Sequence, residues 1–133
     1  MNQVATAILF DRDNKLLIYL RDDKPGIPFP NHWDLFGGQV EEGELPEEAL
    51  VRELKEELDI EVTDFRFYKT FESLDETKPN TKFVYVVRIK ETADELTLHE
   101  GQYLKGIELK DHTEYRFANM LGQILADYVA DNL

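Results

Sequence analysis

Residues 37–60 read GGQVEEGELPEEALVRELKEELDI, and this stretch is the most informative part of the sequence. It begins with two glycines, continues through an acidic turn, and then places leucines four residues apart. That spacing predicts an amphipathic helix over Leu45–Leu58. Pro46 fits the first turn of such a helix, where a backbone N–H is not needed. Eight of the 17 residues from Glu41 to Glu57 are glutamates, so the predicted helix is strongly acidic.

Three glutamates near the end of this helix share one face. At about 100° per residue, Glu53, Glu56 and Glu57 fall within an arc of about 100°, next to the stripe of leucines. Like charges three and four residues apart repel each other, so a partner must offset the repulsion. Mg²⁺ does so in proteins, where carboxylates, substrate phosphates and water hold it. The alternative is an ordinary solvated acidic face, which is the usual role of a Glu-rich helix.

The same stretch resembles the signature of the Nudix hydrolase family, both in residue types and in spacing. The matching residues are Gly38, Glu44, Arg52, Glu53, Leu54, Glu56, Glu57 and Ile60, and residues 33–38 resemble the family's lead-in. Two positions depart from the family pattern. Asp59 stands where the family usually has Gly at the end of the helix, and Phe36 stands where many members have Pro.

The resemblance implies an α/β (α+β) Nudix fold, a mixed β-sheet sandwiched between α-helices, with residues 1–133 forming one domain. It also implies a Mg²⁺ cofactor, for which Mn²⁺ could substitute. The implied metal ligands are Glu53, Glu56, Glu57 and the carbonyl of Gly37 or Gly38. Glu53 is the favoured base for the attacking water. Arg52 and Glu44 are the implied catalytic supports, which fix the helix carboxylates.

The rest of the chain predicts strands around this helix and a second helix at the end. The predicted strands, rich in apolar and β-branched residues, are Val4–Phe10, Lys15–Leu20, Trp33–Phe36, Ile60–Ser73, Thr81–Lys90 and Tyr103–Leu109. Asp111 and Glu114 resemble a capping box for the last helix. Its apolar stripe consists of Phe117, Met120, Leu121, Ile124, Leu125, Tyr128 and Val129.

Several residues outside the signature are weaker site candidates, each with a plainer alternative. Glu100, in the segment Glu100-Gly101-Gln102, resembles a loop glutamate that completes the metal site in some family members; the alternative is an acidic turn. The adjacent glycine suggests an adaptable loop. Substrate-binding candidates, with surface exposure or core packing as alternatives, are Arg21, Phe29, Trp33 and Asn119. The three histidines, predicted to be surface residues, are His32, His99 and His112.

Composition excludes several classes of protein. The formal net charge of −13 argues against DNA or RNA as partners, because such binding depends on Lys and Arg. The absence of cysteine excludes disulfide scaffolds and zinc–thiolate sites. No long apolar run or signal peptide is apparent, so we expect a cytoplasmic protein without a membrane partner. The sequence leaves the oligomeric state open.

The resemblance implies Mg²⁺-dependent hydrolysis of the diphosphate linkage in a nucleoside diphosphate linked to another group. Family members specific for ADP-ribose or dinucleoside polyphosphates often carry Pro or Tyr where this chain has Asp75 or Glu76–Lys78. Elimination therefore favours a small nucleotide substrate, a (d)NTP, and a MutT-like pyrophosphohydrolase. The alternatives are a hydrolase of a nucleotide sugar or other NDP-X, a non-catalytic Nudix-fold nucleotide-binding module, and an acidic Ca²⁺-binding or structural domain.

Overall fold

The computed structural model describes residues 2–74 and 78–132, so Asp75, Glu76 and Thr77 lie outside the described residues. Within the described part, two α-helices pack on a seven-stranded sheet. The strands are β1 (Asn2–Phe10), β2 (Leu16–Leu20), β3 (Trp33–Asp34), β4 (Phe36–Gln39), β5 (Asp64–Ser73), β6 (Asn80–Arg88) and β7 (Tyr103–Ile107). The helices are α1 (Pro46–Leu58) and α2 (Leu121–Asn132), with short 3₁₀ turns at Ala93–Glu95 and Leu109–Glu114.

The sheet is mixed, with the order β3-β2-β1-β6-β5. Strands β1 and β6 run parallel, from the pair Asn2–Asn80 to the pair Phe10–Arg88. The other edge of β1 pairs with β4 over Val4–Ala7 and with β2 only at Phe10, so β2 and β4 separate from each other. Strand β7 adds to the free side of β2. This separation opens the sheet next to the two glycines of β4.

Both faces of β1 are buried, which explains why its sequence is almost continuously apolar. On one face, Ala5, Ala7 and Leu9 pack in a core with the leucines of α1. On the other face, Ile8 and Phe10 pack in a core with α2. The sheet therefore lies between the two helices, as the α/β sandwich prediction required. Among the described residues, no helix has the length and apolar character needed to cross a bilayer.

The structure corrects the predicted start of the last helix. Asp111 and Glu114 belong to the 3₁₀ turn at Leu109–Glu114 and do not cap α2, which begins at Leu121. Phe117 precedes α2, where its backbone forms a bridge with Trp33. It joins the apolar core through this contact between distant segments, not through the helical periodicity. The predicted surface position of His112 is also wrong, since the side chain is buried and its Nδ1 lies 3.0 Å from the Leu109 carbonyl.

Most predicted strands differ from the observed ones only at their end residues, but two differ more. The strand expected over Ile60–Ser73 begins only at Asp64, because Ile60 and Val62 turn inward and pack in the core beside α1. The strand expected over Trp33–Phe36 is divided into β3 and β4. The two glycines that were expected to end it lie inside β4, paired with β1.

Candidate active site

Glu57 is the helix glutamate that is directed into the protein. It is only 5% exposed, and its Oε1 accepts a hydrogen bond of 3.0 Å from the backbone N–H of Gly37. Gly37 has a φ of 141°, and a Cβ there would lie 2.0 Å from the Ala5 carbonyl oxygen. Only glycine therefore allows β4 to lie this close to β1 and to present its N–H to the helix carboxylate.

Glu53 lies one turn earlier on α1 and faces the second glycine. A Cβ added at Gly38 would come within 2.3 Å of the Glu53 Cδ, so the carboxylate occupies the space that glycine leaves. Arg52 Nη1 donates to Glu53 Oε1 at 2.8 Å. Burial raises the pKa of Glu53, and the charge of Arg52 opposes that effect. The carboxylate is thus held between β4 and a guanidinium.

Arg52 lies at the centre of the acidic segment and contacts several of its side chains. Its Nε and Nη2 bind both oxygens of Glu44, at 2.8 and 3.0 Å, and Nη2 also donates to the Gln39 carbonyl. These hydrogen bonds lower the pKa of Glu44 to about 2. The same guanidinium lies 3.5 Å from a carboxylate oxygen of Glu56, which is well exposed at the rim. A bidentate pair of this kind fixes orientation as well as charge.

Glu100 reaches the helix carboxylates from the segment between the 3₁₀ turn at Ala93–Glu95 and β7. The pKa of Glu57 is raised by burial, and then by the hydrogen bond and charge of the neighbouring Glu100. Glu100 also raises the pKa of Glu53. The structure therefore brings Glu53, Glu57 and Glu100 together, while Glu56 lies at the edge of this group.

Residues 99–102, here called the Glu100 loop, are hydrogen-bonded to the rest of the protein at both ends. The His99 N–H donates to the Glu57 carbonyl at 3.0 Å, and His99 Nε2 lies 2.7 Å from Asp59 Oδ2. The Gln102 N–H donates to the Leu20 carbonyl at 2.8 Å, and its side-chain amide donates to the Arg21 carbonyl at 2.7 Å. The loop is thus attached to both α1 and β2.

The chemistry of this donor set fits a hard divalent cation. Carboxylate oxygens that raise one another's pKa by proximity are the groups that a cation would stabilise in their charged form. Within residues 2–74 and 78–132, however, no three acidic or histidine side chains are already grouped as a finished metal site. The contacts of the side chains account for this. Arg52 forms ion pairs with Glu53 and Glu56, and the Gly37 N–H donates to Glu57.

A cavity of about 850 Å³ lies beside Glu100 and the two glycines of β4, and residues of β1, β2 and β6 also line it. Its lining includes Gly37, Gly38 and Glu100 at one end, and Arg21, Phe29 and Asn119 from the surrounding segments. Asn119 has a φ of 52° and precedes α2, so its predicted position on the helix is wrong although it does line the cavity. Trp33 packs edge-on against Tyr103 and Tyr115, which matches the core-packing alternative.

Arg21 is partly engaged inside the protein. Its Nη1 binds Asp34 Oδ2 at 2.8 Å, and the Tyr19 hydroxyl donates to the same oxygen at 3.2 Å. Burial raises the pKa of Asp34, while the Arg21 guanidinium opposes that rise. The contact with Asp34 fixes the orientation of the Arg21 guanidinium, and Arg21 lines the cavity.

Sequence reasoning missed several polar residues of the cavity wall. Tyr19, Asp34, Asn80 and Lys82 all line it. For Lys82 the sequence did contain a usable pattern. Lys82 lies two residues before Val84, so both side chains are on the same buried face of β6. The Lys82 ammonium donates to Asn80 Oδ1 at 2.8 Å. A charged residue in phase with buried residues of a strand indicates an internal polar site.

A family model described as NUDIX domain matches residues 1–128. The chain belongs to the Nudix family. The solved structures agree: a MutT chain, from work on the Aliivibrio salmonicida and Vibrio cholerae proteins, superimposes with a TM-score of 0.79 and is 27% identical. The superposition covers 98% of each chain. The mixed sheet between two helices is therefore the Nudix fold.

Two relatives with described activities match shorter segments. An 8-oxo-dGTP diphosphatase of Haemophilus influenzae is 38% identical over 85 residues, which are 64% of this chain and 61% of that protein. A CTP pyrophosphohydrolase of Escherichia coli is 44% identical over 66 residues, which are 47% of this chain and 44% of that protein. The matched segments thus span less than two thirds of either relative.

Proposed function

We propose that this Nudix protein is a divalent-metal-dependent hydrolase of the diphosphate linkage in a nucleoside diphosphate linked to another group, with a (d)NTP as the favoured substrate. The observation that carries the proposal is the convergence of Glu53, Glu57 and Glu100 beside the two glycines of β4, where Glu100 and both glycines line the cavity. Acidic groups that raise each other's pKa in a cleft are typical of a functional site.

Each side chain has a role in this proposal. Glu53, Glu56, Glu57, Glu100 and a carbonyl of Gly37 or Gly38 would hold Mg²⁺, with Mn²⁺ as a possible substitute. When bound, the ion supplies charge neutralisation and orientation of the phosphate oxygens. Glu53 is the favoured base, because burial raises its pKa and Arg52 fixes its carboxylate. Arg52 and Glu44 keep the helix carboxylates in position.

The reaction is a displacement at phosphorus. The oxygen of a water molecule forms a bond to one phosphorus while the bond from that phosphorus to the bridging oxygen breaks, and the bridging oxygen leaves on the neighbouring phosphorus. The proton of the water passes to Glu53. With a (d)NTP the products are a nucleoside monophosphate and pyrophosphate.

The substrate assignment has two supports. The 8-oxo-dGTP diphosphatase and the CTP pyrophosphohydrolase among the relatives both act on nucleoside triphosphates by name. The cavity of about 850 Å³ is within the usual range for a small-molecule site. A nucleotide sugar or another NDP-X is the alternative substrate. A non-catalytic binding module is disfavoured, because every carboxylate of the signature is present.

The experiment is a panel of nucleoside triphosphates, oxidised triphosphates and nucleotide sugars, each incubated with Mg²⁺ and with chelator. Products are separated by anion exchange, which distinguishes pyrophosphate from phosphate. We expect the wild type to release pyrophosphate from at least one triphosphate in a Mg²⁺-dependent reaction, and the Glu57→Gln variant to release it at least about 100-fold more slowly. Nucleotide binding without hydrolysis across the whole panel would support the binding-module alternative instead.

A further inference from the structure

The helix that carries the candidate metal ligands ends in an unusual way. Asp59 has the left-handed conformation, with φ 57° and ψ 35°, and its N–H donates to the Lys55 carbonyl at 3.0 Å. Glycine adopts this conformation without strain, whereas an L-residue does not. A carboxylate at the C-terminus of a helix is also disfavoured by the helix dipole. Asp59 therefore brings two disadvantages to the helix itself.

The side chain of Asp59 has a partner outside the helix. Its Oδ2 lies 2.7 Å from Nε2 of His99, the residue immediately before Glu100. The backbone N–H of His99 donates to the carbonyl of Glu57 at 3.0 Å. One residue of the Glu100 loop is therefore bound twice to the C-terminal end of α1, at the candidate metal ligand Glu57 itself and at Asp59.

The remainder of the Glu100 loop has little freedom. Gly101 has a φ of 78°, and a Cβ there would lie 2.6 Å from both the Leu20 carbonyl oxygen and the Tyr19 ring. Gln102 is bound to the carbonyls of Leu20 and Arg21 and to the side chain of Asn31. With the end at Gln102 fixed to β2, the position of Glu100 relative to Glu57 depends on how His99 is held.

We propose that Asp59 and His99 are positioning residues that hold the Glu100 carboxylate against Glu57, so that both can bind one divalent cation. This inference rests on the proposed function. The proposal explains why position 59 departs from glycine, because the strained aspartate contacts His99 through a carboxylate that glycine lacks. An exposed contact between two polar side chains stabilises a fold very little, so the effect is expected in the loop and the metal site and not in overall stability.

The test compares Asp59→Gly, His99→Ala and the double variant with two conservative variants. Asp59→Asn and His99→Gln each keep a hydrogen-bonding group at the contact. Asn14→Gly is the control for relief of left-handed strain, since Asn14 has a φ of 61° and lies in the turn between β1 and β2. Glu108→Ala is the control for loss of an exposed ion pair, here with Lys15.

Two measurements need no turnover. Amide hydrogen exchange by NMR reports whether the His99 N–H stays protected. Electron paramagnetic resonance reports the dissociation constant of Mn²⁺ in the absence of nucleotide. We expect the backbone amide at position 99 to exchange faster in Asp59→Gly and in His99→Ala, and both variants to bind Mn²⁺ about 10-fold more weakly. The double variant should be no worse than either single one, and the conservative variants and both controls should resemble the wild type.

The melting temperature separates positioning from a merely structural role. Asp59→Gly should melt no lower than the wild type, because glycine relieves the strain, and yet bind Mn²⁺ more weakly and turn over more slowly with little change in KM. Wild-type exchange or wild-type Mn²⁺ binding in Asp59→Gly and His99→Ala overturns the inference. If the wild type itself binds no Mn²⁺ and hydrolyses nothing, the proposed function fails, and with it the metal-positioning role. Exchange at His99 still reports whether the anchor exists.

Discussion

The candidate site takes its carboxylates from two regions that the chain positions in different ways. On α1, Glu53 and Glu57 are four residues apart on one helix, so the helical repeat fixes their mutual geometry. The Glu100 loop is fixed by bonds to residues 40, 71 and 81 positions away. A local pattern can therefore reveal the first region, whereas the second exists only once the chain has folded. The predictions below test whether both regions serve one site.

The largest effect is expected at the buried carboxylate of α1. Glu57→Gln removes a charge but keeps an oxygen that can accept from the Gly37 N–H. We expect hydrolysis to fall by about 100-fold or more, as when a charge-stabilising group is removed from other active sites. Steady-state assays at saturating Mg²⁺ measure this effect. Hydrolysis equal to that of the wild type would remove Glu57 from the metal site.

The same variant has a second consequence in the metal-free protein. Burial and Glu100 raise the pKa of Glu57 in the folded state above its unfolded value. The pKa of Glu57 in the unfolded chain is near 4.5. The folded protein therefore loses stability as the pH rises above that value, because the folded state retains the proton more strongly. Glu57→Gln should melt higher than the wild type at pH 7.5 with chelator, and the two should converge near pH 4. If the wild type and Glu57→Gln melt at the same temperature at both pH values, burial and Glu100 do not raise the pKa of Glu57.

Arg52→Lys tests the support of the helix carboxylates. Lysine keeps the charge but cannot bind both oxygens of Glu44 while also contacting Glu53. We expect turnover to fall by roughly 10- to 100-fold, with a higher Mg²⁺ concentration needed for half-maximal activity. Arg66→Lys, on the exposed edge strand β5, is the matched control and should behave as wild type. A purely electrostatic role for Arg52 predicts instead that lysine suffices.

A smaller effect is expected from the loop. Glu100→Ala should slow turnover by about 10-fold, less than Glu57→Gln, because Glu100 is exposed and water can replace part of its ligation. Turnover is measured with the nucleotide that the panel identifies, and Glu108→Ala serves as the control. An unchanged rate would return Glu100 to the role of an acidic turn residue.

The smallest effect concerns the acidic turn that precedes α1. Arg52 lowers the pKa of Glu44 to about 2, so the folded value lies below the unfolded one. The stabilisation is present above the unfolded value near 4.5 and is lost as the pH falls toward 2. Glu44→Gln should melt below the wild type at pH 7, and the difference should shrink as the pH is lowered to 3. A difference that is independent of pH would show that the charge is not responsible.

The sequence predicts the carboxylates of α1 well and the contacts of the Glu100 loop poorly. The spacing of Glu53, Glu56 and Glu57 predicted one helix face, because helical geometry acts over a few residues. No local pattern predicts that His99 binds Asp59 or that the backbone of Phe117 bridges to Trp33, since these contacts join distant segments. The burial of His112 depends on the same kind of packing. The single domain, the cytoplasmic location and the absence of nucleic-acid or membrane partners stay predictions.

The central claim is that the carboxylates of α1 and of the Glu100 loop hold the same metal ion, and calorimetric titration of Mg²⁺ tests it most directly. Wild type, Glu57→Gln and Glu100→Gln are titrated without nucleotide. The account predicts that the wild type binds Mg²⁺ measurably and that each single variant binds it at least about 10-fold more weakly. The double variant should lose little more than the weaker single one. Wild-type affinity in Glu100→Gln, together with weakened binding in Glu57→Gln, would contradict the account, because the loop would then lie outside the metal site.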